Sequence, residues 1–358
     1  MSSPHATVDF DDTEGLLEAD RDGLLRAAAM AGAQVRATAA AVDEGALESV
    51  SADHRPRTVV WVAGRGPAET AGTMLAACLG GLAGEPIVVA AESPPWIGPL
   101  DVLVVAGDDP GDPALVSAAA TAVRRGARVV VAAPYEGPLR DATAGRTAVL
   151  APRLWVPDEF GLCRYLAAGL ATLAAVDPAL QSDLSALADE LDAEALRNSA
   201  GREVFTNPAK SLAERITGRQ TVIAGDGAAT LALARHAAAV LLRVGHVAVA
   251  AAGLADALVA LRAGAARGFA DPVDALFHDE ELDGPLPSRM RVLALTLAAE
   301  RAVVGARVAG VDDVQVVGAE DIGEAGAVQV PTGRAEQQLA TLAVRFEMAA
   351  VYLRLAGG

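Results

Sequence analysis

Thr58-Val59-Val60-Trp61-Val62-Ala63-Gly64-Arg65-Gly66 runs straight into the alanine-rich stretch Glu69 to Leu79, and Thr221-Val222-Ile223-Ala224-Gly225-Asp226-Gly227 runs straight into Ala228 to Leu242. Each is a short β-branched run, a glycine turn and a helical stretch, the opening unit of an α/β layer structure. Its recurrence predicts two related lobes of similar size.

Working outward from the first copy, strands are expected at Pro86 to Ala90, Asp101 to Ala106 and Ala127 to Ala132, with a helix from Pro113 to Arg125. Unbroken apolar strands alternating with helices predict a parallel sheet covered on both faces. Upstream, a leucine and alanine face predicts one leader helix over about Thr13 to Val42. Downstream, helices are expected over Pro157 to Leu173 and, with more charge, over Asp183 to Leu196. The second copy predicts strands near Thr221 to Ala224, Val247 to Ala250, Arg291 to Leu297 and Asp313 to Val317, and a closing helix from Arg334 to Leu355. The expected organisation is a helical leader (1–50), a first lobe (51–180), a helical linker (181–200) and a second lobe (201–358).

With 358 residues, 52% of them hydrophobic, the chain has material for two cores. Much of that fraction is alanine, which predicts helices packed closely by small side chains. The apolar runs Ala237 to Leu242 and Val247 to Ala252 fall well short of the roughly 20 residues of a membrane span. The acidic first 25 residues lack the basic start of a signal peptide, so a cytoplasmic protein is expected. Cys78 and Cys163 sit in apolar surroundings and are expected as free thiols. Forty-six acidic against 29 basic residues give a formal charge of −17, which repels phosphate backbones and argues against a nucleic-acid partner. Abundant alanine, glycine, arginine and aspartate with little lysine fits a GC-rich, actinobacterial-like source.

Ligands of doubly wound sheets gather beyond the carboxyl ends of the strands, which singles out Gly64 to Thr70, Ala106 to Asp112, Ala133 to Gly137, Gly225 to Thr230 and Leu276 to Gly284. Gly64 and Gly66 admit either a ligand against the backbone or a tight turn; Pro67-Ala68-Glu69 supplies no third glycine, so no nicotinamide cofactor is expected. Gly107-Asp108-Asp109-Pro110-Gly111-Asp112 is an acidic loop at a central strand end, with Asp112 and Pro113 suited to capping the next helix. No metal site is expected from it.

In this order, several strings resemble the sugar isomerase (SIS) domain superfamily, specifically its bifunctional phosphoglucose/phosphomannose isomerases. Val62 to Gly66 through Ala71-Gly72 is similar to that family's first glycine loop. Val104 to Ala118, followed by Arg124 to Val129, is similar to its phosphate-loop segment. Thr206-Asn207-Pro208-Ala209-Lys210-Ser211 is similar to its Asn-Pro-Ala-Lys segment, Phe277-His278-Asp279-Glu280-Glu281 to its His-Asn-Glu segment, and Ala349 to Leu353 to its final helix. The resemblance spans nearly the whole chain and implies two flavodoxin-type, three-layer αβα sandwich lobes with parallel sheets, in a pseudo-duplicated α/β fold.

It further implies a sugar-phosphate ligand, a homodimer, and aldose–ketose isomerisation through an enediol. That reaction needs donors around the phosphate, a carboxylate between C1 and C2 and a histidine near the ring oxygen. Residues at positions matching the family's sites are Gly64, Arg65, Gly66, Gly107, Asp108, Asp109, Asn207 and Lys210 for substrate and His278 for ring opening; Glu280 and Glu281 beside it are the candidates for a relocated base. The chain departs from the pattern where it matters. Where the family has a hydroxyl-rich phosphate loop, Ala106 to Gly111 has carboxylates and a proline without an N–H. Where the family has a glutamate base, Gly227 through Ala255 contains no aspartate, glutamate or lysine, leaving His236 and His246. A divergent protein that binds a phosphosugar or other carbohydrate derivative is the first expectation. An isomerase with a relocated base and a non-catalytic interaction protein stand as alternatives.

Overall fold

The structure, a computed structural model, describes residues 8–51, 54–265, 290–321 and 333–357. The first lobe holds a five-stranded parallel sheet. Its strands are β1 (Thr58–Val62), β2 (Ile87–Ala90), β3 (Asp101–Ala106), β4 (Arg128–Ala132) and β5 (Ala148–Val149), in the order β2-β1-β3-β4-β5. β6 (Thr221–Gly225), β7 (Ala250–Gly253), β8 (Arg291–Leu295) and β9 (Val314–Val317) form a second parallel sheet, ordered β7-β6-β8-β9. The second order repeats the first without a fifth strand, as the recurrence of the opening unit predicts.

Alternation along the strands sorts side chains into separate cores, because neighbours on a strand face opposite sides of the sheet. Val60 and Val62 of β1 pack outward with helices α5 (Pro113–Arg124) and α6 (Gly137–Thr143). Val59 and Trp61 face inward, onto α4 (Gly66–Leu79) and α7 (Leu162–Val176). In the second sheet Val222 and Ala224 pack on α11 (Leu254–Ala265) and α12 (Arg301–Val308), whereas Ile223 faces inward. The inward faces share one core, which also contains α10 (Ala228–Arg243) and α13 (Ala335–Gly357). A layer of helices therefore lies between two sheets, each covered on its far side by helices.

Small residues make that middle layer thin. A Cβ on Gly72 would overlap the Trp61 indole, and one on Gly169 would overlap the Leu75 side chain. α13 is buried along almost its whole length. It is therefore the central strut of the chain.

The leader is three helices, α1 (Thr13–Ala19), α2 (Leu24–Ala28) and α3 (Ala31–Asp43), not one. Asp20 breaks it by accepting from the Leu24 and Leu25 N–H groups, and Gly23 takes φ +67° between them. α3 packs on the charged linker helix α8 (Leu184–Arg197) and on α7. The helix expected from Pro157 begins at Leu162 after a 3-10 turn over Asp158–Phe160. β7 starts three residues later than predicted, where Ala250 comes into register with Val222 of β6; before it the chain turns at His246, φ +54°. Cys78 and Cys163 are free thiols. Among the described residues no helix is long and apolar enough to cross a membrane.

Just before β2, Glu85 is 3% exposed and both its carboxylate oxygens are buried without a hydrogen-bond partner. Burial raises its pKa, the nearby Asp177 carboxylate adds to the rise, and Arg55 opposes it. Above about pH 4.5 the unfolded chain releases a proton that folded Glu85 retains, so this residue's contribution to stability falls as pH rises through its folded pKa. Asp177 has the opposite sign. The Ala179 N–H holds its carboxylate low, followed by the Gly84 N–H and Arg55, so its contribution is lost as pH falls. Glu85→Gln is expected to stabilise the protein by about 1 kcal/mol at pH 7, with the difference from wild type vanishing near pH 4. Urea unfolding at the two pH values reads this directly, and equal effects at both would refute the titration.

Candidate functional site

The first lobe's switch point lies between β1 and β3. They are adjacent, with Val60 paired to Leu103, yet the helix after β1 packs inward and the helix after β3 packs outward. The chain therefore opens a crevice at their carboxyl ends. On one wall Ala63-Gly64-Arg65 leads into α4, with Arg65 extended at the N-cap and Gly66 at φ +64°. On the other wall Gly107 to Asp112 leads into α5.

The second wall carries its own anions. Asp109 Oδ1 accepts from the Gly111 N–H at 2.7 Å, and Asp112 Oδ1 accepts from the Ala114 N–H at 2.8 Å. Pro110 and Pro113 have no N–H to offer. Donors that would converge on a phosphate at this helix start are thus taken by the loop's own carboxylates. Asp108 lies 3.8 Å from the Arg65 guanidinium, an exposed pair of little energetic weight. A Cβ on Gly107 would stand 2.7 Å from Leu115 Cδ1, so the end of that buried side chain would have to shift.

A third wall was not anticipated. The turn Asp158–Phe160 brings Asp158 to the mouth, its Oδ2 3.7 Å from where a Cβ on Gly66 would stand. Burial raises the Asp158 pKa, Asp108 adds to the rise, and Arg164 and Arg243 oppose it. The Tyr165 hydroxyl donates to Asp158 Oδ1 at 3.4 Å, and the Arg164 guanidinium lies 4.1 Å over the Tyr165 ring. One Arg164 nitrogen, Nη1, is buried without a hydrogen-bond partner. Arg243, at the end of α10 in the second lobe, donates to Glu159 at 2.6 Å. In the sequence, Asp158 and Glu159 resemble ordinary acidic residues at a helix start, so only the tertiary path reveals them.

α4 and α10 pack against each other. The end of α10 reaches Glu159 beside the start of α4, so the second lobe's mouth, at the start of α10, opens beside the far end of α4. There the Gly227 N–H donates to the Thr230 hydroxyl at 3.1 Å, and Glu300 Oε1 lies 3.7 Å from where a Cβ on Gly227 would stand. The Cys78 thiol is pushed up to about 12 by burial and then by Glu336 and Glu300. Asp226 is engaged with Arg307. Both mouths are thus lined with carboxylates.

Six of the expected site residues, Gly64, Arg65, Gly66, Gly107, Asp108 and Asp109, converge on the first mouth. Asn207 and Lys210 lie elsewhere. Asn207 caps α9 (Pro208–Ile216) through the Lys210 N–H at 3.0 Å and donates to Ser199 O, at the edge of a cleft of about 350 Å³ beside β9. The Lys210 ammonium is buried, donating to the carbonyls of Ala200 at 2.8 Å and Arg202 at 2.7 Å beneath the Tyr352 ring. His278, Glu280 and Glu281 fall outside the described residues. His236 is buried between α10 and α13, with Nε2 2.9 Å from Glu347 Oε1, and His246 is exposed in its turn. Burial raises the Glu347 pKa, against the pull of His236. Among the described residues no group of three or more histidine, cysteine, aspartate or glutamate side chains could hold a metal ion.

No family model matches the chain, and no curated protein does. Solved structures do match over nearly its full length. Tagatose-6-phosphate ketose/aldose isomerase from Escherichia coli aligns over 95% of this chain and 92% of its own, with 15% identity and a TM-score of 0.59. The chain has the duplicated SIS fold. The C-terminal domain of glucosamine-fructose-6-phosphate aminotransferase from Francisella tularensis aligns over 99% and 98%, with 10% identity and a TM-score of 0.57. A glucose-6-phosphate isomerase like protein from Thermus thermophilus aligns over 98% and 94%, with 19% identity and a TM-score of 0.52. At such identities the likeness concerns the SIS fold, and function has to be argued from this chain's own residues.

Proposed function

We propose that this SIS-fold chain binds a carbohydrate derivative without isomerising it. The observation that carries this reading is the first mouth: it retains the switch-point crevice and the glycine wall, while Asp109 and Asp112 occupy the donors a phosphate needs. The lack of a base on α10 supports the same conclusion. Helix α10 carries no acidic side chain, and its one histidine is bonded to Glu347 in the core. Losing a general base alone costs about 10²–10⁴-fold in rate. Kinship with the bifunctional phosphoglucose/phosphomannose isomerases, an actinobacterial origin, a cytoplasmic homodimer and lobes bounded at 51–180 and 201–358 belong to this proposal.

Calorimetric titration with glucose, glucose 6-phosphate, mannose 6-phosphate and fructose 6-phosphate, each with and without magnesium, tests it beside a coupled isomerase assay. The expected result is carbohydrate binding without turnover. Turnover that disappears in His278→Ala or Glu280→Gln would instead make the chain an isomerase with a relocated acid–base pair. Absence of both binding and turnover would leave an interaction protein.

A further inference from the structure

The cleft of about 350 Å³ beside β9 shares no residue with either strand-end mouth. One face of α9 forms a wall of it. Pro208, Ser211, Leu212 and Arg215 line the cleft, the i, i+3, i+4, i+7 spacing of residues stacked on one side of a helix. That wall runs roughly 10 Å from Pro208 to Arg215, and Val316 and Val317 of β9 face the cleft from the sheet.

Three charged side chains line the cleft, and two are already balanced. Arg345 donates to Glu194 at 2.7 Å, and Asp321 accepts from Arg301 and from the Gly318 N–H, each at 2.8 Å. The third, Arg215, is half-buried, and among the described residues its guanidinium has no hydrogen bond and no ion pair. The Ser211 hydroxyl, one turn earlier on the same face, has no hydrogen bond among those residues either.

Like charge gathers behind Arg215. Arg291 Nη1 donates to the Arg215 carbonyl at 3.0 Å. Burial lowers the Arg291 pKa, Arg219 and Arg215 add to the fall, and Asp313 opposes it. Three guanidinium groups are thus within electrostatic reach of one another in a chain with 46 acidic against 29 basic residues. Arg36, Arg57, Arg301 and Arg307, by contrast, are each paired with a carboxylate. An anion in the cleft relieves the repulsion and takes up donors that the protein leaves free.

We infer that the cleft is an anion site, in which the Arg215 guanidinium and the Ser211 hydroxyl donate to the phosphate or carboxylate oxygens of a small organic ligand whose apolar part rests on Leu212 and Val316. The planar fork of an arginine matches either group, and the cleft's volume is that of a small-molecule site. This inference stands apart from the carbohydrate reading of the first mouth, where carboxylates oppose a phosphate.

Glucose 6-phosphate, gluconate, inorganic phosphate and neutral glucose are titrated calorimetrically, at low ionic strength, into wild type, Arg215→Gln, Ser211→Ala and Arg65→Gln. In parallel, wild type is treated with phenylglyoxal with and without inorganic phosphate, and the modified arginines are located by mass spectrometry. The anions are expected to bind wild type, less tightly as salt is added. Binding is expected to be about tenfold weaker or more in Arg215→Gln, about threefold weaker in Ser211→Ala and unchanged in Arg65→Gln. Inorganic phosphate is expected to slow modification of Arg215 and not of Arg65. The tighter of glucose 6-phosphate and gluconate names the charged group.

Wild-type affinity in Arg215→Gln overturns the site. A loss confined to Arg65→Gln overturns it too and moves the anion to the first mouth. Binding of neutral glucose without any anion overturns the anion site and leaves the carbohydrate reading standing, whereas binding of none of the four overturns both. Should Arg215→Gln fail to fold, the phenylglyoxal experiment on wild type decides alone: an Arg215 that phosphate does not protect overturns the inference.

Discussion

Arg345→Met is expected to lower the free energy of unfolding by about 3–5 kcal/mol, because it strands a buried carboxylate. Arg345 is 1% exposed on α13, and all five of its N–H groups have acceptors. Nε and Nη2 donate to Glu194 at 2.7 and 3.3 Å, Nη1 to Gly318 O and Asp321 O at 2.9 and 3.2 Å, and Nη2 also to Ala319 O at 2.9 Å. One side chain thereby ties the linker helix, the central strut and the loop after β9 together. Methionine fills similar volume and supplies none of these donors, leaving Glu194 with Arg197 and Asn198 only.

The pH dependence separates this mechanism from lost packing. Burial pushes the Glu194 pKa up, but Arg345 and then Arg197 outweigh it, so the folded pKa lies below the ordinary glutamate value. Wild type therefore keeps this contribution above about pH 4.5 and loses it only as pH falls further, through the folded pKa. Without Arg345, burial dominates and the carboxyl becomes easier to protonate. The variant's deficit is expected to be larger at pH 7.5 than at pH 5, in urea unfolding at each pH. The double variant Glu194→Gln/Arg345→Met should recover part of the loss, giving a coupling energy well above zero in the mutant cycle. Additive single effects would show that the pair is not the source.

Most of the fold was legible in the sequence because its signals are local. β1, β3 and α5 fall within a residue or so of where the β-branched runs, glycines and Asp112-Pro113 cap place them. The misses have physical causes. A leucine and alanine stripe gives the period of a helix but not its interruptions, and Asp20 hides its capping role inside that stripe. Val247 to Ala252 is small or apolar throughout, so nothing in its pattern fixes where the strand begins; the register with β6, whose Val222 meets Ala250, does. β5 has two residues and no periodicity to detect.

The site was legible only in part. Six residues on two strand ends could be found because strand ends follow from the fold. Asp158, Glu159 and Arg243 reach the same mouth through a 3-10 turn and a helix end from the other lobe, which no spacing encodes. The acidic loop's meaning also changes on folding. As sequence it is negative charge in place of hydroxyls; as structure it is negative charge bonded to the N–H groups that an incoming anion would use. Asn207 and Lys210 illustrate the converse. A segment similar to one in isomerases is used here for internal bonding.

That internal role predicts the second large effect. Lys210 is the chain's one lysine, and its ammonium is buried against two carbonyls and the Tyr352 ring, whose hydroxyl donates to Asn198 O at 2.6 Å. Burial lowers the Lys210 pKa, opposed by Asp11 and Asp9. Lys210→Met keeps the stem and removes the donors, leaving the Ala200 and Arg202 carbonyls without them at about 1–3 kcal/mol each. A loss of about 3 kcal/mol is expected, whereas a phosphate-binding lysine held open to solvent would be removed with little change in stability. Amine acetylation followed by mass spectrometry gives an independent reading, since only Lys210 and the α-amino group can react. In native wild type Lys210 should be labelled only through opening of the structure, at a rate that urea accelerates. Rapid labelling in water, slowed by glucose 6-phosphate, would instead return the residue to a ligand site and reopen the phosphosugar reading.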